Sequence, residues 1–367
     1  MRAKTVAAVI SLACVAGSME ARAQVAPPPP VADCTMLDDP DSLATDVTAC
    51  AKSLLNRQSL INTSTSIIDV IMDRFDIGPN QTEPAGLELT DPKEILDRLT
   101  GSGNISITPT ADMVAHAASP MWNVWVDGKY SWLDDTSAFT NLDGSLVNAV
   151  VGADYKVTDH LVLGVMGTFE TSDLKGLSPA VEETDGWGGG AYMGLSLSDN
   201  LVFSANVSGT SLNTDVNGGT FAFDSTRIQT SEALTGYWYS GTWRFSPSLT
   251  FAWSKEWQDA SLFLNAQTIE TAIISPAVQI GDTIAIKDAT TVEPWIGAEI
   301  DWEVRNRVVD KVVGTILNDP NTDLRLQTGL NFAFGAKAQL DLTGEISGLL
   351  LKDSNTYTAG ANFAYQF

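Results

Sequence analysis

The sequence predicts an all-β membrane protein: a 12-stranded antiparallel transmembrane β-barrel preceded by a small, mainly α-helical N-terminal segment. Three features of the chain after about residue 120 support this prediction. Apolar and polar residues alternate over runs longer than the about five or six residues of an ordinary strand, long enough for a tilted strand to cross a bilayer. Aromatic residues mark the ends of these runs, as interfacial girdles do. Short connections between runs alternate with long ones.

The composition places the domain boundary and excludes two classes of protein. All ten Trp lie at or after Trp122, whereas ten of the fifteen Pro lie at or before Pro120. The chain has 45 acidic against 21 basic residues, a formal charge of −24, which argues against nucleic acid as a partner. Mean hydropathy is +0.03, and no apolar run is long enough to predict a membrane-spanning helix.

Residues 1–23 have the pattern of a secretory signal peptide. Arg2 and Lys4 precede an apolar stretch that is too short to span a bilayer, and the small residues Ala21 and Ala23 follow as a cleavage pattern. We expect this segment to be cleaved during export through the inner membrane. The mature chain would then be located in the bacterial outer membrane.

Residues 24–119 are predicted to form a short helical segment with a proline-rich start. The pattern turns helical from about Ser42 to Ile77, which we interpret as a helical hairpin. A capping residue followed by proline predicts a short helix at Pro92–Thr100, and Ala111–Ala118 could form another turn or two. A segment of this length with one aromatic residue has a thin core, and we expect no catalytic domain here.

Two cysteines, Cys34 and Cys50, remain after removal of the signal peptide. In an oxidising compartment they are predicted to form a disulfide bond, closing a loop that stabilises the fold by about 3 kcal/mol. The alternative is a pair of free thiols.

The barrel strands are predicted from residue 120 to 367 by the alternation. In the first strand Trp122 and Val124 fall on the lipid-facing side and Asn123 and Asp127 on the lumen side, with Trp125 as an exception. The twelve strands are predicted to start near residues 121, 145, 160, 184, 200, 225, 242, 272, 292, 323, 338 and 356.

The connections predict the orientation of the barrel. Short turns of such barrels face the periplasm and long loops face outside, so an even number of strands places both chain ends of the barrel in the periplasm. Tight turns are predicted at Thr158–His160, Ser198–Asn200, Ser240–Gly241 and Gly335–Lys337, and long loops at 134–144, 173–183, 214–224, 256–271 and 305–322.

Charged residues on the inward face indicate a wet lumen, because a dry core would not tolerate them. The candidate lumen charges are Arg244, Glu299, Asp301, Arg325, Asp341 and Glu345. The same alternation places Glu232 and Asp282 among lipid-facing residues, which is unfavourable at the bilayer midplane and makes the registers of these two strands the weakest part of the prediction.

The barrel region resembles the autotransporter β-domain, the translocator of type V secretion. The resemblance covers about residues 120–367 and rests on a Trp-rich opening strand, on glycine-containing strand segments and on a terminal aromatic strand. These segments are Trp122–Ser131, Val151–Lys156, His160–Gly164, Glu293–Gly297 and Ala361–Phe367.

The resemblance implies functional roles for several residues. The terminal aromatic of the closing strand, here Phe367 with Phe363 and Tyr365 in support, is similar to the signal that the outer-membrane barrel assembly machinery recognises. Family members pass a helix through the pore just before the first strand, for which Ala111–Ala118 is the nearest match and Pro92–Thr100 the next. Some members use pore acids to cut their own linker, although we favour a salt-bridged, hydrated lumen as the role of these acids.

Family members usually carry a long passenger of β-solenoid repeats, whereas Gln24–Ser119 contains no internal repeat. The resemblance therefore implies an outer-membrane translocator with a very short N-terminal segment in place of a long passenger. The alternative function is a porin, or a structural or surface-interaction barrel, whose N-terminal segment plugs the pore or stays in the periplasm.

The sequence does not predict an enzyme. The two histidines, His116 and His160, fall before the barrel and in a predicted periplasmic turn, so neither would serve a site at the outer rim. We expect no metal and no cofactor, because there is no His/Cys cluster and no phosphate-binding motif. The expected partners are outer-membrane lipids and the assembly machinery, and the barrel is expected to be monomeric.

Overall fold

The computed structural model describes residues 43–75 and 121–367, with gaps at 137–141, 177–180, 219–220, 262–263, 288–289, 313, 319, 336 and 352–353. The predicted signal peptide and the predicted helices at Pro92–Thr100 and Ala111–Ala118 lie outside these residues. Among the helices of the described part, none is both long and apolar enough to be a transmembrane helix.

The N-terminal part is a single helix, α1, which runs from Leu43 to Arg74 over 32 residues. The predicted hairpin is therefore wrong, although the predicted helical region is confirmed. The helix contains neither glycine nor proline, the two residues that interrupt helices most strongly. The mixed pattern of polar and apolar residues suggested a hairpin. It instead reflects the position of the helix inside the barrel, where both kinds of side chain find partners.

The remaining described residues form fifteen β-segments. They are β1 Trp122–Asp135, β2 Leu142–Thr158, β3 Leu161–Lys175, β4 Val181–Ser198, β5 Leu201–Val216, β6 Phe221–Gly236, β7 Trp238–Ser240, β8 Trp243–Gln258, β9 Gln267–Asp282, β10 Ile284–Lys287, β11 Thr290–Asp310, β12 Gly314–Asn318, β13 Thr322–Phe334, β14 Ala338–Ser347 and β15 Ser354–Gln366.

These segments form a closed barrel of twelve antiparallel strands, which confirms the predicted fold. Three short segments only extend their neighbours: β7 continues β6 along β8, β10 continues β9 along β11, and β12 precedes β13 along β11. The first and last strands close the barrel, because β1 pairs with β15 from Asn123↔Gln366 to Asp135↔Ser354.

The connections divide the barrel into a turn end and a loop end. At the turn end, β2 and β3, β4 and β5, and β7 and β8 are joined by tight turns, as predicted. At the loop end, the strands extend further than predicted, so the long loops are shorter than expected. The predicted loop 305–322, for example, contains the end of β11 and all of β12. Backbone pairing continues there because it does not depend on side-chain polarity.

The side chains alternate between lipid and lumen as predicted. Trp122 and Val124 are exposed on the outer surface, and Asn123 and Asp127 are buried inside. Trp125, the predicted exception, is also inside and is 2% exposed.

The two outward acids keep their predicted faces. Glu232 lies beside Ala205 and Phe251 on the outer surface. Asp282 pairs with Trp243 near the turn end, away from the midplane.

Candidate functional site

The lumen of the barrel is occupied by α1. The stretch from Lys52 to Arg74 is about 33 Å long at 1.5 Å per residue, close to the ~30 Å thickness of a bilayer core. Its polar side chains bind inward-facing residues on many strands around the wall. The helix residues in hydrogen bonds or ion pairs with the barrel include Lys52, Ser53, Asn56, Arg57, Gln58, Ser59, Asn62, Thr65, Ser66 and Arg74.

Lys52 fixes the helix at the loop end. Its Nζ lies 2.8 Å from Glu182 Oε1 and donates hydrogen bonds of 2.8 Å to Thr184 Oγ1 and Thr214 Oγ1. The ammonium also lies 5.4 Å from the centre of the Phe223 ring, within cation–π range. The three donors of this ammonium therefore have partners on β4 and β5.

Arg57 links the helix to the most charged part of the lumen. Its Nε lies 2.5 Å from Glu303 Oε1, and its Nη2 lies 3.2 Å from Asp323 Oδ2 and 3.7 Å from Asp301 Oδ2. All these side chains are buried, so solvent screens their attraction only weakly. Breaking such a buried pair is costly, because it leaves a charge without a partner.

Four of the six predicted lumen charges meet beside Arg57. Arg325 Nη2 lies 2.6 Å from Asp301 Oδ2 and 3.5 Å from Glu299 Oε1, and Arg325 Nη1 lies 3.5 Å from Glu345 Oε2. Asp301 thus bridges the guanidiniums of the barrel and of the helix. The sequence indicated that these residues face inward but not that a helix arginine completes the cluster.

The other two predicted lumen charges lie apart from this cluster. Arg244 is buried near the turn end, where its Nη2 lies 2.7 Å from Glu293 Oε1 and its Nη1 donates to Ser246. Asp341 is also buried and faces inward, in register with Asn331 and Asn362.

A second buried charge cluster was not predicted. Arg227 Nη1 lies 2.9 Å from Glu170 Oε2, and Arg227 Nη2 lies 2.9 Å from Glu256 Oε2. Ser59 of the helix donates to Glu170 and accepts from Arg227 at 2.9 Å. Each of these residues falls on the inward face of its strand, so a systematic search of that face for charge would have found them.

Arg74 fixes the helix at the turn end. Its Nε donates a 2.6 Å hydrogen bond to Asp154 Oδ1, and its Nη2 donates to the carbonyl of Met121 at 3.1 Å. The other oxygen of Asp154 accepts from Tyr192 at 2.9 Å, and Trp125 Nε1 donates to that tyrosine oxygen at 2.6 Å. The inward tryptophan thus has its polar atom satisfied inside the barrel.

An apolar cluster surrounds this end of the helix. Ile67, Val70 and Ile71 are fully buried and pack on the inward aromatic residues of the barrel wall. At Gly194 the helix comes so close that a Cβ would lie 2.5 Å from Ile71 Cγ2. The turn end of the pore is therefore filled by side chains.

A small cavity remains beside the middle of the helix. It has a volume of about 80 Å³ and is lined by Thr65, Asp69, Lys129, Glu299 and Glu345, among others. This volume holds a few water molecules and is far too small for a polypeptide. The lumen in this state is plugged.

The residues of the predicted assembly signal lie on the outer surface. Phe363, Tyr365 and Phe367 are 43, 40 and 58% exposed on the lipid-facing side of the closing strand. Phe367 also pairs with Trp122 through backbone hydrogen bonds of 3.0 and 3.2 Å.

The described residues include only one of the two cysteines of the predicted disulfide, and a search for a metal site is restricted to the same residues. Cys50 is disulfide-bonded, is buried and precedes Lys52 in α1 by two residues. Cys34 lies outside the described residues, so the pairing of the two cysteines stays a prediction. Within the described ranges, no group of three or more His, Cys, Asp or Glu has an arrangement suited to a metal ion.

Residues 124–346 match the family described as the autotransporter β-domain. The chain belongs to this family. Its barrel is therefore an outer-membrane translocator barrel of type V secretion, in a family whose role is structural and secretory. No curated protein sequence matches the chain.

Three solved autotransporter structures share the fold. The translocator domain of NalP from Neisseria meningitidis is 13% identical, with a TM-score of 0.51 over 75% of this chain and 95% of that one. The β-domain of Bordetella BrkA is 13% identical, with a TM-score of 0.53 over 67% and 100%. The transport unit of AIDA-I from Escherichia coli is 14% identical, with a TM-score of 0.52 over 75% and 98%.

The helix that the described structure places in the lumen of this autotransporter barrel is α1, whereas the two helices predicted for that role lie outside the described residues. The resemblance pointed to Ala111–Ala118, directly before β1, but Leu43–Arg74 lies in the pore. The segment 76–120 separates this helix from the first strand in the sequence. Proximity to the first strand therefore did not identify α1, whose cations Lys52, Arg57 and Arg74 each meet an acid of the barrel wall.

Proposed function

We propose that this chain is an autotransporter-type translocator whose very short N-terminal segment begins at the cell surface, passes through the pore as the plug α1 and returns to the first strand on the periplasmic side. In this proposal residues 1–23 are a signal peptide that is cleaved on export through the inner membrane. Residues 24–119 form the N-terminal segment, and residues 120–367 form the barrel. The role is mechanical rather than enzymatic.

The direction of α1 is the observation that supports the proposal. Lys52 lies among residues of the loop end, and Arg74 lies among residues of the turn end. The turn end of such barrels faces the periplasm. The chain ahead of the helix would then leave the pore on the outside, while the chain after the helix would return to β1 on the periplasmic side.

The proposed Cys34–Cys50 disulfide would suit this arrangement. In the proposed orientation Cys50, two residues before Lys52, would lie at the external mouth, where an oxidising environment preserves a disulfide bond. Closing this short loop would hold the exported residues against the barrel and resist withdrawal of the helix. The cluster of acids around Arg57 has the same effect deeper in the pore.

Tagged cells can test the direction of the helix. An epitope inserted after Asp41 should be removed when intact cells are treated with a protease, because it would lie outside. The matched control is the same epitope inserted after Thr90, which should stay protected until the outer membrane is permeabilised. A protected tag after Asp41 in cells that contain folded barrel would refute export of the segment and favour a barrel whose N-terminal segment stays periplasmic.

We further propose that the barrel assembly machinery recognises the aromatic end of β15 and that the barrel acts as a monomer. The exposure of Phe363, Tyr365 and Phe367 on the outer surface supports the first point, because a recognition signal must be accessible. The barrel closes within one chain, through β1 and β15, which supports the second.

A further inference from the structure

A group of cations lies on the outer surface of the barrel toward the loop end. Lys255 of β8, Glu270 of β9 and Arg307 of β11 are in register with one another across three neighbouring strands. Arg305 lies one step closer to the membrane, in register with Ala272. We call Lys255, Arg305 and Arg307, with Glu270 among them, the cationic patch.

The patch faces outward because it continues the lipid-facing rows of its strands. On β8 the outward residues are Phe251, Trp253 and Lys255 in turn, with Phe251 39% exposed. On β11 the outward Trp302 is 56% exposed. A bulge between Glu303 and Arg305 then shifts the register, and both arginines lie on the outer surface.

The exposed charge of the patch is positive. Glu270 Oε2 accepts from Arg305 Nη1 at 2.9 Å and from Arg307 Nη2 at 3.3 Å, and Glu270 Oε1 accepts from Trp253 Nε1 at 3.2 Å. The glutamate side chain is only 10% exposed, whereas the two arginine side chains are 48 and 41% exposed. The buried carboxylate thus positions the two exposed guanidiniums. One acid cannot neutralise three cations, so the patch keeps a net positive charge.

The position of the patch indicates what its ligand would be. Lys255 follows Trp253 on β8, and Arg305 and Arg307 follow Trp302 on β11. Aromatic residues mark the interface of such barrels, so we infer that the patch lies at the level of the outer-leaflet headgroups. Guanidinium groups bind phosphate with paired N–H donors, and cations at the headgroup level gain from anionic lipid. The Trp257 ring, with Lys255 Nζ 5.4 Å from its centre, offers an apolar face beside these charges.

We propose that the cationic patch binds a phosphorylated glycolipid of the outer leaflet, with its phosphate groups on Lys255, Arg305 and Arg307. Another part of the outer surface carries negative charge, which restricts phosphate binding to the cationic patch. There the outward residues toward the loop end include Asp173, Glu183 and Asp185, which repel phosphate. The lipid would therefore bind along β8, β9 and β11 rather than around the whole barrel.

Lipid binding by the purified full-length barrel tests the proposal. The probes are bisphosphorylated lipid A, its dephosphorylated form and inorganic phosphate, each titrated in detergent and followed by native mass spectrometry. We expect the bisphosphorylated lipid to bind the wild-type barrel. The triple variant K255Q/R305Q/R307Q should bind it about tenfold or more weakly, because charge-assisted hydrogen bonds to phosphate are lost.

Two variants separate the site from general charge and from folding. Lys175→Gln removes an exposed cation that lies near Asp173 at the loop end, and it should bind lipid as the wild type does. Glu270→Gln removes the carboxylate but keeps the three cations, and it should bind at least as tightly. Heat-modifiable migration in gels shows that each variant is folded.

Several results would overturn the proposal. They are equal binding of the lipid to wild type and triple variant, equal binding of the dephosphorylated lipid, or saturation by inorganic phosphate at the same concentration as by lipid. Association of two barrels that the triple variant abolishes, without any lipid, would show that the patch binds a second copy instead.

Discussion

Arg57 places a guanidinium among three carboxylates of the barrel wall, those of Glu303, Asp301 and Asp323. The carboxylates come from β11 and β13, and the arginine comes from a helix far away in the sequence. Without Arg57, the barrel's Arg325 would remain as the cation beside Asp301, and Glu303 and Asp323 would lose their charged partner. A buried arginine likewise needs an acceptor. Lys52 and Arg74 repeat the arrangement at the two ends of the pore.

Replacing Arg57 by Gln should loosen α1 in the lumen. It leaves buried acids without their helix partner, and removal of one member of a buried pair costs about 3–5 kcal/mol. We expect a lower midpoint temperature for loss of heat-modifiable migration and more frequent openings in planar bilayers. Lys175→Gln is the control, because the exposed Lys175–Asp173 pair is worth about 0–1 kcal/mol. If both variants stay equally stable and closed, Arg57 does not hold the helix.

Gly194 makes a second prediction about a single residue. Gly194→Leu should displace the turn end of α1, because its side chain would occupy the space of Ile71 and Phe75. Limited trypsin digestion of the purified barrel should then cut the helix at Lys52, Arg57 or Arg74 several times faster. Gly128→Leu is the matched control on the outer face, where an added Cβ would meet nothing within 4 Å. Unchanged protection in the Gly194 variant would contradict the close contact.

The helix α1 shows how an element is determined by its surroundings. It has apolar residues such as Ile67 and Ile71 at one end and mostly polar residues in the middle, and nearly all of them are buried. In water such a helix has no continuous apolar face to pack on a core. Inside a polar lumen the same residues find partners in every direction, and one uninterrupted helix is the result.

Removing α1 should open the pore. A barrel that lacks residues 43–75 should give large, steady conductance in planar bilayers, because the described lumen holds only a cavity of about 80 Å³ beside the helix. The control is an equally long deletion of residues 76–108, which leaves the helix in the chain and should keep conductance low. A deletion of 43–75 that folds but conducts no more than wild type would refute the plug.

The whole molecule depends on the closure of the barrel by its two terminal strands. The β1–β15 pairing removes both sheet edges, which would otherwise expose unpaired backbone groups to lipid. The last residue, Phe367, belongs to this seam and is also exposed to the outside. It therefore combines a structural contact with a surface that another protein can contact.

Deleting Phe367 should reduce insertion into the outer membrane several-fold in cells. Refolding of the purified variant in detergent should change little, because only one terminal pair of backbone hydrogen bonds is lost. Heat-modifiable barrel is measured in both experiments, and Phe367→Tyr serves as the control that keeps a terminal aromatic. A normal yield in cells would contradict the assembly signal, and failure in both experiments would make the residue structural.

The sequence alone determined the barrel and most of its strands. An alternation of period two places successive side chains on opposite faces, and runs long enough to cross a bilayer assign these faces to lipid and lumen. The strands, their faces and the exceptional Trp125 could therefore be predicted locally. Four of the lumen acids, Glu299, Asp301, Asp341 and Glu345, were recognised in the same way, since charge on the inward face needs water or a partner. Part of the acidic excess behind the formal charge of −24 therefore lies in the lumen.

The tertiary structure decided which partner these acids have. Contacts such as Arg57 with Glu303, or Arg74 with Asp154, join residues that are far apart in the sequence, and no local pattern specifies them. The length of the strands beyond the membrane was also undetermined, because backbone pairing does not require apolar side chains. Periodicity reports the face on which a residue lies, whereas the identity of its neighbour is fixed only when the barrel has closed around the helix.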